Sequence, residues 1–124
     1  MTRSANELVT EFCEKWSTPD PEELAGYFTE DAVYHNIPMD AVHGREAIKQ
    51  FIAGFVGGLD GIDFQVHRQV SDGDLVMNER TDVMRRKGGE PIPLPVSGVF
   101  EIENGRIKAW RDYFDMATIT SQFG

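Results

Sequence analysis

The amino-acid sequence predicts an α+β fold. Three N-terminal helices are expected to cover one face of a curved, mixed or antiparallel β-sheet. Apolar residues recur at helical spacing in residues 1–55, and they alternate with polar residues over most of the remainder. Asp-Gly and Asn-Gly pairs separate the alternating segments, as in hairpins. Helices packed on one face of a curved sheet leave a cone, and its apolar mouth suits a small molecule. No linker or repeat interrupts the pattern, so residues 1–124 are predicted to form one domain.

The three helices are predicted from their caps and their apolar stripes. The first spans residues 4–16, because Ser4 and Glu7 form a capping-box pattern and apolar residues follow at every third or fourth position. The second spans residues 21–28, where a proline suits the first turn and an aspartate precedes it as N-cap. The third spans residues 44–55 and ends before a pair of glycines.

The strands are predicted from alternation between apolar and polar residues. They lie at residues 32–36, 64–70, 75–84, 94–102 and 106–114. Hairpin turns are expected at residues 71–74 and 103–106, and an exposed loop at residues 85–91. The last residues, 116–123, are predicted to form a turn or a helix.

The charge and the hydropathy of the chain exclude several classes of partner. A formal net charge of −9 opposes binding to nucleic acid and to anionic membrane surfaces. No apolar run approaches the roughly 20 residues that span a bilayer, and the first residues lack the apolar core of a signal peptide. We therefore expect no membrane span and a cytoplasmic location, and a small neutral or cationic ligand is still allowed.

The residue types that most often bind metals or act as nucleophiles form no recognisable motif. The histidines, His35, His43 and His67, lack metal-ligand spacing. Cys13 is the only cysteine, and its place among apolar residues of the first helix predicts a packed, inert thiol. The chain has no nucleophile elbow, glycine-rich phosphate loop or dinucleotide motif. We therefore predict neither a metal nor a cofactor.

Three short segments carry polar residues that could act together. Arg80 and Asp82 point to the same face of a strand, but the strand taken alone favours a weak ion pair on a solvated face. Asp112 shares a face with two aromatic residues, which indicates an apolar surrounding; the structural alternative is a strand-end aspartate bonded to backbone amides. Tyr34 and Asn36 could hold one water molecule, or could be a core tyrosine and a turn asparagine. If all five face inward, an Asp–Arg–Asp triad lies beside two neutral groups.

These segments resemble the limonene-1,2-epoxide hydrolase family, within the broader SnoaL-like, nuclear-transport-factor-2-like superfamily. The resemblance covers nearly the whole chain and is most specific at residues 34–36, 80–82 and 110–115. It implies a homodimer of cone-shaped subunits that opens epoxides with water in one step, without a covalent intermediate or a cofactor. It further implies Asp112 as general base, Asp82 as general acid and Arg80 as the bridge between them, with Tyr34 and Asn36 holding the attacking water.

The pocket lining predicts an apolar epoxide as substrate, of terpenoid, sterol or fatty-acyl type. The expected lining residues are Ile37, Met39, Met77, Leu94, Val96, Phe100 and Trp110. Two alternatives use the same scaffold: a SnoaL-like cyclase or ketosteroid-isomerase-like enzyme, and a small-ligand-binding module without catalysis. Both would leave two carboxylates and an arginine without a purpose, so epoxide hydrolysis is the favoured function.

Overall fold

A computed structural model describes the backbone of residues 3–123 and the side chains of residues 3–122. The helices are α1 (Ala5–Lys15), α2 (Pro21–Ala25), α3 (Arg45–Val56) and α4 (Met116–Phe123). The strands are β1 (Phe28–Asn36), β2 (Val42–His43), β3 (Leu59–Asp72), β4 (Leu75–Arg86), β5 (Ile92–Glu103) and β6 (Arg106–Tyr113). The predicted order of three helices followed by a strand meander is confirmed, and the terminal segment is helical. Within the described part of the chain, no helix is long and apolar enough to cross a bilayer.

The six strands form one mixed sheet in the order β2-β1-β6-β5-β4-β3. Strands β3 to β6 are antiparallel neighbours in sequence order, which is the predicted meander. The last strand, β6, then pairs in parallel with β1, so the two ends of the chain's strand region meet. Strand β2 was not predicted, because two residues are too few to show an alternating pattern. Irregular register in β1, β3 and β6 adds curvature to the sheet.

The predicted end of the second helix and the predicted starts of β1 and β3 are wrong, and at both places the sheet extends further than expected. Helix α2 ends at Ala25 with Gly26 as its C-cap, so Phe28 opens β1 as a fully buried strand residue. Strand β3 starts at Leu59, five residues early, because Gly61 keeps the chain extended beside the end of α1. A Cβ at Gly61 would lie 2.1 Å from the carbonyl oxygen of Ser17, so only glycine permits this approach.

The helices cover one face of the sheet and bury their apolar stripes there. The capping box of α1 is present, with Ser4 and Glu7 bonded to each other's backbone amides. Phe12 of α1 packs edge-on against Trp110 of β6, with 5.1 Å between the ring centroids. Helix α3 contributes Ile48 and Ile52 to the same apolar cluster. The side chains that alternate inward from the strands therefore meet a closed apolar layer, except where polar residues interrupt it.

Candidate active site

Strand β4 carries an inward row of polar side chains. Asn78, Arg80 and Asp82 alternate with exposed or half-buried residues, and they are only 5%, 1% and 6% exposed. The interpretation of Arg80 and Asp82 as a solvated pair is therefore wrong. The strand taken alone favoured it, because neither face of β4 is purely apolar, whereas the three polar segments taken together favoured an inward cluster. The choice of face was made by the helices that pack against the sheet.

The Arg80 guanidinium lies between two carboxylates and uses all of its donors. Its Nε donates to Asp82 Oδ1 at 2.8 Å, and its Nη2 donates to Asp82 Oδ2 at 2.7 Å. The same Nη2 donates to Asp112 Oδ2 at 2.7 Å, while Nη1 donates to Asp112 Oδ1 at 3.2 Å and to Asn78 Oδ1 at 3.1 Å. The guanidinium also lies 4.5 Å from the ring centroid of Phe64. Such a group is stable when buried because its charge is paired and its hydrogen bonds are satisfied.

The strand register explains why these residues meet. Asn78 of β4 is opposite Gly98 of β5, and Gly98 is opposite Asp112 of β6. The missing side chain at position 98 provides the space in which the Arg80 side chain crosses from β4 towards β6. A Cβ on Gly98 would lie 2.4 Å from Arg80 Nη1 and 2.9 Å from Asp112 Oδ1. Neither Asn78 nor Gly98 was predicted as a site residue, although Asn78 belongs to the same strand face as Arg80.

The parallel pairing of β1 with β6 brings the second polar pair to the triad. Asn36 is the register partner of Asp112, and Tyr34 is the partner of Trp110. The Tyr34 hydroxyl donates to Asn36 Oδ1 at 3.4 Å. The end of β1 is held in place because the Ile37 amide donates to the Asp112 carbonyl at 2.9 Å. The structure therefore brings all five predicted polar residues into one cluster.

The burial of this cluster has consequences for its protonation. Burial raises the pKa of the Asp82 carboxyl above its ordinary range, and the bonds from Arg80 only partly offset that effect. Burial likewise raises the pKa of the Tyr34 phenol, so its hydroxyl stays protonated and can donate. Burial alone would lower the pKa of Arg80, but the carboxylates of Asp112 and Asp82 outweigh it, so that pKa is raised. Asp82 can therefore serve as an acid while the guanidinium remains charged.

The polar cluster forms one wall of an apolar cavity of about 600 Å³. Tyr34, Asn36, Asp82 and Asp112 line it, whereas Arg80 lies behind the two carboxylates. The apolar part of the wall is Trp16, Met39, Phe51, Phe55, Leu59, Ile62, Phe64, Met84, Leu94, Val96, Phe114, Met116 and Ile119. This volume is in the range of small-molecule sites, roughly 300–1,000 Å³. The cavity can take a medium-sized apolar molecule and hold it against the carboxylates.

Of the seven residues predicted to contact substrate, three line the cavity and four do not. Met39, Leu94 and Val96 line it, and Ile37 is not among the lining residues. Met77 is on the outer face of the sheet, because odd-numbered residues of β4 point away from the helices. Phe100 and Trp110 are completely buried behind the wall and do not reach the cavity.

Helix α3 supplies lining residues that sequence reasoning assigned only to the core. Its apolar stripe was recognised, but Phe51 and Phe55 from that stripe line the cavity. Helix α4 supplies Met116 and Ile119, from a segment too short to show a stripe. No pattern within one helix distinguishes a side chain that touches a neighbouring strand from one that borders a cavity.

Comparisons with known proteins identify the family of this chain. A family model described as the limonene-1,2-epoxide hydrolase catalytic domain matches residues 4–124. The chain is 32% identical over 108 residues to epoxide hydrolase EphG of Mycobacterium tuberculosis, covering 87% of this chain and 71% of that protein. A solved M. tuberculosis epoxide hydrolase described as LEH-like superposes with a TM-score of 0.82 at 30% identity, covering 94% of this chain and 86% of that one.

The fold itself is more widely shared. A SnoaL-like polyketide cyclase fold from Shewanella denitrificans superposes with a TM-score of 0.84 at 19% identity, covering 95% of each chain. That likeness shows a common α+β cone and says nothing of chemistry. The family model and the curated relative are more specific, because they match the sequence over most of its length. The chain belongs to the limonene-1,2-epoxide hydrolase family, and its enzyme class is that of an epoxide hydrolase.

Proposed function

We propose that this protein converts apolar epoxides to vicinal diols by a single acid- and base-assisted attack of water. The observation that carries the proposal is the buried Asp82–Arg80–Asp112 triad at the wall of an apolar cavity. Two carboxyl groups on one arginine can hold different protonation states, because the charge of one opposes ionisation of the other. One proton and one base are then available at the same site.

In this mechanism Asp112 is the general base. Tyr34, Asn36 and Asp112 all line the cavity, and the register of β1 and β6 places Asn36 opposite Asp112. A water molecule between them can donate one proton to the Asp112 carboxylate and be oriented by the amide and the phenol. As its oxygen attacks an epoxide carbon, that proton moves to Asp112, and the carbon–oxygen bond of the ring breaks.

Asp82 is the general acid of the same step. Burial raises the pKa of its carboxyl, which favours the protonated form that the reaction needs. Its proton passes to the ring oxygen as that oxygen gains the electrons of the broken bond, so no free alkoxide forms. The products are a neutral diol, a protonated Asp112 and an ionised Asp82. One proton transfer between the two carboxyls, which both line the cavity, restores the starting state.

The cavity wall supports an apolar substrate of terpenoid, sterol or fatty-acyl type. Its aromatic and aliphatic side chains from α3, α4 and the sheet would surround the body of the molecule. The polar groups are confined to the wall that carries the triad and to the cations of Arg86 and Lys87. Binding of the apolar body therefore directs the epoxide ring towards Asp82 and Asp112, the two carboxyl groups that line the cavity among the described residues.

The function is tested by hydrolysis of a panel of apolar epoxides in ¹⁸O-labelled water under single-turnover conditions. We expect labelled oxygen in the first diol formed, and we expect Asp112→Asn to fold normally but to lose at least about 100-fold in rate, as general-base variants do. Unlabelled oxygen in that first diol would show that a carboxylate attacks the ring, and the one-step mechanism would be wrong. If no epoxide gives a diol, a cyclase, an isomerase or a binding module on the same fold becomes the better function.

We also propose that the protein is a homodimer that pairs through the outer face of its sheet. Val70 and Met77 are register partners on that face, and they are 67% and 46% exposed. Leu75 and Tyr113 are further exposed apolar side chains of the strand region. Analytical ultracentrifugation should give the mass of two chains, and Met77→Glu should give one. A wild-type protein that sediments as a monomer at micromolar concentration would contradict the proposal.

A further inference from the structure

The Asp112 carboxylate accepts a hydrogen bond that the proposed mechanism does not use. Trp110 Nε1 donates to Asp112 Oδ1 at 2.6 Å, within the range of a direct hydrogen bond. Both side chains are buried, and Trp110 is completely inaccessible to solvent. Trp110 was predicted to contact substrate, but it lies behind the cavity wall. Its contact with the site is therefore made through Asp112.

The bond from Trp110 determines which oxygen of Asp112 can take a proton. A carboxylate offers about four acceptor positions, two on each oxygen. Oδ1 accepts from Trp110 Nε1 and from Arg80 Nη1, which fills both of its positions. Oδ2 accepts from Arg80 Nη2 alone among the described residues, so one position remains. The proton of the attacking water can therefore be received only at Oδ2.

The same indole also positions the residue that holds the water. The Trp110 ring is stacked on the Tyr34 ring, with 4.3 Å between centroids and 7° between planes. The Trp110 ring is also stacked on the Phe100 ring, with 5.3 Å between centroids and 17° between planes, and the Phe12 ring packs edge-on against it at a centroid distance of 5.1 Å. Aromatic contacts on several sides leave the ring one orientation. One rigid side chain thus fixes the positions of both the base and the phenol.

We propose that Trp110 is a positioning residue of this active site. Its indole N–H orients the Asp112 carboxylate so that Oδ2 faces the water, and its ring holds the Tyr34 ring where the Tyr34 hydroxyl can bond to the same water. This inference rests on the proposed epoxide hydrolysis and adds to it a residue that touches neither water nor substrate.

The test compares Trp110→Phe with Ile107→Val. Phenylalanine at position 110 keeps an aromatic ring and removes the N–H. Ile107 is the control, because it is fully buried in the same apolar core and on the same strand, and it is not among the residues that line the cavity. Each variant keeps an apolar side chain of reduced size, so destabilisation by lost packing is common to both. Unfolding by urea measures that shared effect.

For Trp110→Phe we expect kcat to fall about 10- to 100-fold at neutral pH while KM changes less than about 3-fold, as for the loss of one charged hydrogen bond. A purely structural role of Trp110 would lower the free energy of unfolding and leave kcat unchanged. Ile107→Val should keep the wild-type kcat and KM.

A second variant keeps the inference testable if Trp110→Phe does not fold. Benzothienylalanine incorporated at position 110 replaces the N–H by sulfur and keeps the shape of the bicyclic ring. It should reproduce the fall in kcat at nearly unchanged KM. If either Trp110 variant folds and matches the wild-type kcat, the positioning role is wrong while the hydrolase function stands. If the wild-type protein itself hydrolyses no epoxide, the proposed function fails first and the role of Trp110 fails with it.

Discussion

A single methyl group at position 98 should disable the site without touching substrate. Gly98 lies in the middle of β5, between Asn78 and Asp112, and its backbone does not require glycine. Its importance is spatial, because the Arg80 guanidinium passes directly over it. In Gly98→Ala the new Cβ would lie 2.4 Å from Arg80 Nη1 and 3.0 Å from Asn78 Oδ1. Carbon atoms in proteins do not approach a nitrogen so closely, so the guanidinium must move.

The size of the effect follows from how the guanidinium is held. To relieve the contact, Nη1 must retreat from 2.4 Å to at least 3.0 Å from the new carbon. Its bonds to Asp112 Oδ1 and Asn78 Oδ1 are already 3.2 and 3.1 Å long, so the displacement breaks or weakens both. Overpacking of this kind costs about 1–3 kcal/mol of stability. Displacement of a catalytic group by as much as 1 Å lowers a rate by about 100-fold.

The assay is epoxide hydrolysis at saturating and at low substrate, with urea unfolding of the same preparation. We expect Gly98→Ala to lose about 100-fold in kcat and about 1–3 kcal/mol in unfolding free energy. Gly54→Ala is the stability control, because a Cβ at that position of α3 meets nothing within 4 Å and alanine favours a helix. A Gly98→Ala protein with wild-type kcat and stability would refute the packing argument, since the arginine would then move at no cost.

Three further predictions concern protonation and the water site. Because burial raises the pKa of Asp82, the wild-type kcat/KM should fall as the pH rises through that pKa and the acid ionises. Asp82→Asn should be at least about 100-fold slower at all pH values. If Asp82→Asn is active and its kcat/KM still falls at high pH, the general acid is another residue. Tyr34→Phe keeps the ring stacked on Trp110 and removes the hydroxyl, so kcat should fall about 10- to 100-fold with unchanged stability. An unchanged kcat would show that Tyr34 does not hold the water. Cys13 should resist thiol reagents until the protein unfolds, because burial raises its pKa to about 12 and leaves it 2% exposed; rapid labelling of the native protein would contradict the buried position.

The local elements were predictable because their signals lie within a few residues of one another. The capping box of Ser4 and Glu7 forms as predicted, since both partners are in the first turn of α1. The Asn104-Gly105 turn joins β5 and β6 as predicted, and both residues have positive φ. The fact that Arg80 and Asp82 share one face also follows from the sequence, because side chains of a strand alternate. These features need no knowledge of the rest of the chain.

The boundaries and the cavity were harder to predict because they depend on distant neighbours. Nothing near Gly61 indicates that β3 begins at Leu59, since the reason is the approach of the Ser17 carbonyl. Trp110 and Phe100 have the character of lining residues, but other aromatic rings cover them completely. Burial depends on which elements pack together, and one strand's sequence does not record that.

The sequence by itself determined the α+β class, the order of the elements and the identity of the polar residues, because these depend on periodicity, caps and turns within single segments. Tertiary structure decided that Arg80 and Asp82 face inward, because α1 and α3 cover that face of the sheet and exclude water from it. Tertiary structure also decided that Asp112 joins them, because the parallel pairing of β6 with β1 and the absence of a side chain at Gly98 bring three strands to one arginine. An active site assembled across strands is a property of register and packing, and these arise only when the whole chain has folded.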